Sequence, residues 1–111
     1  MAQETLAMKK RDVEKAIGDY VKKRFNELEI LGKNKPDYVD RVLATIQDRE
    51  YFGEGKYNVF LDVYGTEIAD NGDLRENTHY TALCSFSVVS DPQGTPMPSL
   101  NDSLILSKKP F

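Results

Sequence analysis

Tryptophan is missing from this chain, and cysteine and histidine occur once each. A lone cysteine, Cys84, excludes an intramolecular disulfide, so the fold has to rest on an apolar core. At 111 residues the chain is long enough to build one as a single domain. With His79 as the sole histidine, no Ser-His-Asp or Cys-His pair follows from spacing, and the chain reads as a non-enzyme. No run approaches the roughly 18 apolar residues of a membrane span. Residues 1–10 lack the apolar segment of a signal peptide, and a secreted mature chain or a cytoplasmic one would read alike. Glycine-rich phosphate signatures are also lacking, because Gly53-Glu-Gly55 leads into a strand pattern rather than a helix. Asp70, Asp73 and Glu76 do not have the spacing of a calcium loop, so neither metal nor cofactor is expected. A formal net charge of −3 makes no general case for nucleic acid. Lys22, Lys23 and Arg24 fit the solvated face of a helix.

What is present is a strong change of hydrophobic period. Residues 1–11 carry no strong pattern and read as a loose arm. Val13, Ala16, Ile17, Tyr20, Val21, Arg24 and Leu28 then follow helical spacing, with Asp12 as N-cap and Gly32 closing the C-terminus. Gly18 within this helix costs about 1 kcal/mol relative to alanine, and its missing side chain would let the helix lie close to a sheet. After a linker to Pro36 the period becomes two. Val42, Ala44 and Ile46 share one face of a first strand between Tyr38 and Glu50, and Tyr57, Val59, Leu61 and Val63 share one face of a second ending near Glu67.

Asp70-Asn-Gly-Asp73 predicts a hairpin turn, and extended structure resumes at His79, with Tyr80, Ala82, Cys84, Phe86 and Val88 on one face. There Cys84 reads as a small buried hydrophobe. Asp91-Pro-Gln-Gly94 is a second turn, and Pro96 and Pro98 keep the next segment out of a central strand. Leu104 to Leu106 offer a short last strand before a tail from Lys108. The expected class is α+β, one long N-terminal helix wrapped by a four-stranded antiparallel sheet.

Between the first two strands lies Tyr51-Phe52-Gly53-Glu54-Gly55. Glycines supply the positive φ that a tight hairpin needs, but two aromatics at a loop tip are unusual, since tips are commonly polar and solvated. The plainer reading is that they close the end of the core or pair across the hairpin.

Several strings resemble the cystatin family. Val13-Glu-Lys-Ala-Ile-Gly-Asp-Tyr-Val-Lys-Lys-Arg-Phe-Asn26 is similar to its helix, and Tyr38-Val-Asp-Arg-Val-Leu43 to the segment entering its first long strand. Lys56-Tyr-Asn-Val-Phe-Leu-Asp-Val63 is similar to its second strand and Cys84-Ser-Phe86 to its third, while Gln93-Gly-Thr95 falls in the second hairpin. The resemblance implies a reversible inhibitor of papain-like cysteine proteases, in which an N-terminal arm and two hairpin loops fill the active-site cleft. It would place the protease-binding loops at Tyr51, Phe52, Gly53, Glu54 and Gly55, and at Asp91, Pro92, Gln93 and Gly94.

The chain departs from the family in its loops. Of the pattern Gln-x-Val-x-Gly only Gly55 agrees, Pro92 is followed by Gln93 rather than tryptophan, no glycine precedes the helix, and the disulfide cysteines are lacking apart from Cys84. Two other readings therefore stand beside it. One is a non-inhibitory cystatin-like or nuclear-transport-factor-like module that binds a protein or mediates assembly. The other is a hotdog-type acyl-CoA thioesterase, whose Asp-x-x-Gly-x-Pro-x-Pro tail is similar to Asp91-Pro-Gln-Gly-Thr-Pro-Met-Pro98. The expected partner is a papain-like protease or another protein, not nucleic acid or membrane, with the chain a monomer or a strand-swapped dimer.

Overall fold

In the computed structural model, which describes residues 8–47 and 54–110, helix α1 runs from Lys10 to Arg24 and tightens into a 3-10 turn over Phe25–Glu27. Its buried stripe is Val13, Ile17, Gly18 and Val21, continued by Phe25, the spacing that the sequence predicts. The cap differs. Lys9, with extended backbone and no side-chain bond, precedes the helix, and the N–H groups of Asp12 and Val13 both donate to its carbonyl at 3.0 Å. Asp12 sits inside the first turn, where its charge suits the helix dipole. Met8, 6% exposed, joins the core immediately before the cap, and Met8 and Val13 occupy the two positions of a hydrophobic staple. Apolar packing thus sets the helix start, and the stretch expected as a loose arm is already anchored at Met8 and helical from Lys10. Gly32 has the expected positive φ of 89°, but it follows strand β1 (Ile30–Leu31) instead of closing the helix.

The remaining strands are β2 (Tyr38–Ile46), β3 (Gly55–Ile68), β4 (Leu74–Ser90), β5 (Pro96–Leu100), β6 (Leu104–Ile105) and β7 (Ser107–Lys108). The fold is α+β, one helix with a predominantly antiparallel sheet. Strands β2, β3 and β4 form its body, and β5 and β7 pair successive stretches of the far side of β4. A separate parallel pair joins β1 to β6. Among the described residues the main sheet therefore has five strands where the alternation predicts four. The tail expected from Lys108 is part of the fifth, because Lys108 reaches back to a carboxylate on β3.

The apolar faces meet as the period-two pattern requires. Tyr57, Val59, Leu61 and Val63 of β3 and Tyr80, Ala82, Phe86 and Val88 of β4 are buried against the helix stripe. The helix crosses β2 closely at Gly18, where an added Cβ would stand 2.9 Å from the Val42 carbonyl oxygen. Glu14 accepts the N–H of Ile46 at 2.9 Å, so α1 also covers part of the outer edge of β2.

Strand β4 starts five residues before His79 because of a bulge. Gly65 pairs Thr78 and Glu67 pairs Arg75, so β4 carries one residue more than β3 over this interval. Asn77 absorbs it at φ 57°, a left-handed conformation that asparagine tolerates better than most residues. The bulge interrupts the alternation, which hides the beginning of the strand from pattern reading. A second register shift, at Asp40, lies beside it on β2.

Candidate functional site

Of the nine residues expected to bind a partner, Tyr51, Phe52 and Gly53 lie outside the described residues. Glu54 and Gly55 stand at the start of β3, and Asp91, Pro92, Gln93 and Gly94 form the β4–β5 turn. These two segments meet. Gly55 pairs Val88, and the N–H of Ser90 donates to Glu54 Oε2 at 2.7 Å. A charge-assisted bond thus ties the entry of β3 to the residue before the second turn.

The turn is held by its own aspartate. Asp91 Oδ1 accepts the N–H groups of Gln93 at 2.9 Å and Thr95 at 2.8 Å, and the Asp91 carbonyl accepts the N–H of Gly94 at 2.9 Å. Gly94 has φ 87°, which glycine adopts without cost. With the backbone donors occupied inside the turn, the groups offered outward are the exposed side chains of Pro92, Gln93 and Thr95.

The start of the helix lies at the same end. Asp12, Lys15, Ala16 and Asp19 face Gln93, Gly94, Thr95 and Pro96 across an open cleft of about 370 Å³. Lys15 and Asp19 pair at 2.9 Å, but both are largely exposed, so the pair contributes little to stability. The end of the sheet therefore gathers the helix start, the entry to β3 and the β4–β5 turn. Among the described residues it carries no paired acid and base in reach of a nucleophile.

The other sequence candidates serve structure. Cys84 is buried, its Sγ donates to the Val59 carbonyl at 3.6 Å, and burial pushes the thiol up to about 12. Since the thiolate is the reactive form, this cysteine is inert at neutral pH. In the Asp70–Asp73 turn, Asn71 accepts the N–H of Asp73 at 3.0 Å and donates to its carboxylate at 2.9 Å. His79 lies on the sheet face turned away from the helix. Its Nε2 pairs with Asp62 Oδ1 at 2.7 Å, its ring stacks on Tyr64 at 4.4 Å, and Arg41 lies over the other side of Tyr64 at 4.4 Å. Sequence reasoning missed this row, because only the register Arg41–Tyr64–His79 across three strands brings it together.

A second unforeseen network closes the C-terminus. Glu67 accepts hydrogen bonds from Lys108 Nζ at 2.7 Å and from the hydroxyl of fully buried Tyr80. Lys108 and then Tyr80 hold the Glu67 carboxyl below its ordinary 4.5, while burial and then Glu67 push the Tyr80 phenol up. A carboxylate with a lowered native pKa stabilises the fold above its unfolded value, and this contribution disappears as pH falls through the native value. Lys108→Met is therefore expected to reduce stability by about 1–2 kcal/mol at pH 7. The difference from the parent should vanish well below pH 4.5, as urea denaturation at the two pH values will check.

No protein-family model, curated protein or solved structure matches this chain.

Proposed function

We propose that this chain is a reversible, occluding inhibitor of papain-like cysteine proteases, with a cystatin-like arrangement of its helix and sheet. The observation that carries the reading is the Glu54–Ser90 bond, which joins the entry of β3 to the β4–β5 turn at the end of the sheet where the helix begins. An inhibitor that blocks by occupancy needs several loops presented side by side on a rigid support, since pre-organisation limits the entropy lost on binding. The support here is the long β3–β4 ladder, and the Asp91 turn is rigid through its own hydrogen bonds. Tyr51 and Phe52 shortly precede Glu54 in the sequence, and aromatic side chains are the usual anchors in a desolvated cleft. The polar tip of the second turn favours a second reading, a non-inhibitory module that binds another protein through the same end.

The test is a titration against papain and a cathepsin with a fluorogenic peptide substrate. Inhibition is expected to be reversible, with Phe52→Asp weakening it at least about 100-fold and Glu54→Ala, which releases the two loops from each other, about tenfold. Full protease activity at micromolar protein would overturn the inhibitor and leave partner binding as the function.

A further inference from the structure

An open sheet ends in edge strands whose outward backbone groups are a template for a strand of another chain. Strand β2 bounds the main sheet on one side, β5 and the two-residue β7 on the other. In an antiparallel ladder successive residues turn their N–H and C=O alternately toward the partner and away from it. Bonds just beyond the ends of an edge strand therefore fix which of its residues face outward.

On β5 two such bonds agree. The Asp91 N–H donates to the Thr95 carbonyl and the Asn101 N–H to the Ser85 carbonyl, both at 3.0 Å. With Val89 opposite Met97 and Ser87 opposite Ser99 between them, Met97 and Ser99 bond to β4. Pro96, Pro98 and Leu100 then turn outward. The two prolines have no N–H to offer, and the Leu100 N–H already donates to the Tyr20 hydroxyl on the helix at 3.4 Å. Among the described residues, the outer edge of β5 thus presents carbonyl acceptors but no N–H that is still to be satisfied.

On β2 the Gln47 N–H donates to the Asn58 carbonyl at 3.0 Å, so Thr45 and Leu43 bond to β3 and Ile46, Ala44 and Val42 turn outward. The helix meets both ends of this stretch. Glu14 accepts the Ile46 N–H at 2.9 Å, and the Val42 carbonyl oxygen lies so close to Gly18 that an added Cβ would stand 2.9 Å from it. Between them Ala44 borders an opening of about 310 Å³ that Glu14, Lys15 and Asp19 also line. An added strand needs a run of alternate residues, and this run is interrupted on either side of Ala44.

We propose that helix α1 and the two prolines guard both edges of the sheet against addition of a strand from another chain. One helix serves both edges because of its pitch. At about 100° per residue, Glu14 and Gly18 fall on one flank of the Val13–Ile17–Val21 stripe and Tyr20 on the other. The stripe faces the core, and its two flanks reach β2 and β5. Guarded edges favour the monomer over strand-paired forms, whether or not the loop end occupies a protease.

Sedimentation equilibrium of the full chain from about 1 to 500 µM compares the parent with Pro96→Thr/Pro98→Thr, which gives the outer edge of β5 two N–H donors. Threonine suits an edge strand, so this variant should keep the parent circular dichroism spectrum. It is expected to associate at least about tenfold more tightly than the parent, since each copy brings the new donors to the pairing. The amide introduced at position 98 should be protected from hydrogen exchange only in the associated form. Pro98→Thr alone repeats the test with a single donor. Hydrogen exchange in the monomer tests the other edge. Glu14→Ala is expected to speed exchange of the Ile46 amide at least about tenfold. Glu14→Gln, whose amide oxygen still accepts, should change it little. Variants at both prolines that associate no more than the parent overturn the proposal, as does association that leaves the position-98 amide unprotected. So does an Ile46 amide that stays as protected in Glu14→Ala as in the parent.

Discussion

Gly65→Ala is expected to destabilise the fold by about 3 kcal/mol, although it adds a single methyl group. An added Cβ would stand 2.4 Å from the carbonyl oxygen of Tyr38 and 2.7 Å from Cβ of Pro36. Neither is the tip of a flexible side chain, so the linker entering β2 would have to move. Two effects oppose each other. Alanine in place of a glycine that adopts ordinary backbone angles gains about 0.5–1 kcal/mol, chiefly from the unfolded state, whereas forced repacking against backbone costs more. The bulges at Asp40 and at Asn77 lie next to this contact, so the shift cannot be absorbed by straightening either strand. Urea denaturation should show a lower midpoint with an unchanged slope. A neutral result would mean that Pro36 to Tyr38 does not lie against Gly65.

Phe86→Ala is expected to cost about 3–5 kcal/mol, the range for truncating a fully enclosed phenylalanine. Its ring is fully buried, meets Tyr20 edge-on at 5.9 Å, and its backbone pairs Tyr57 on one side and Leu100 on the other. The Leu100 N–H also donates to the Tyr20 hydroxyl at 3.4 Å. One residue thus stands between the helix, both long strands and β5, its ring against the helix and its backbone in the sheet. Against a total stability of about 5–15 kcal/mol, its loss should lower the melting temperature by about 12–20 °C. A fall of less than 5 °C in a scanning calorimetry trace, against the roughly 4 °C expected per kcal/mol, would show that the core closes around the cavity.

Much of this architecture was legible where one period ran without interruption. The stripe from Val13 to Val21, the buried faces of Tyr57–Val63 and Tyr80–Val88, and both hairpin turns follow from side-chain spacing and turn chemistry alone. The reading of Gly18 as a point of close approach holds too, with the Val42 carbonyl as the neighbour. It failed where a long-range contact overrode local preference. Asp12 is a good cap by type, yet Met8 settles the helix start by burying itself. Strand β4 begins at Leu74 because Asn77 absorbs an extra residue, which breaks the very alternation used to find strands.

For the candidate site, turn chemistry located Asp91–Gly94, but nothing local indicates that Ser90 bonds to Glu54, 36 residues away. The row Arg41, Tyr64 and His79 is likewise invisible, since each residue alone is an ordinary outward-facing strand position.

By itself the amino-acid sequence determined the class of elements, their order and which face of each is apolar, because these depend on spacing between near neighbours. Only the tertiary structure decided the strand register, the fifth strand built from the C-terminal residues and the convergence of the helix start with the entry to β3 and the β4–β5 turn at one end. Those features rest on contacts between residues far apart in the chain, such as Lys108 with Glu67 and Glu14 with Ile46. A one-residue slip in pairing would separate every one of them.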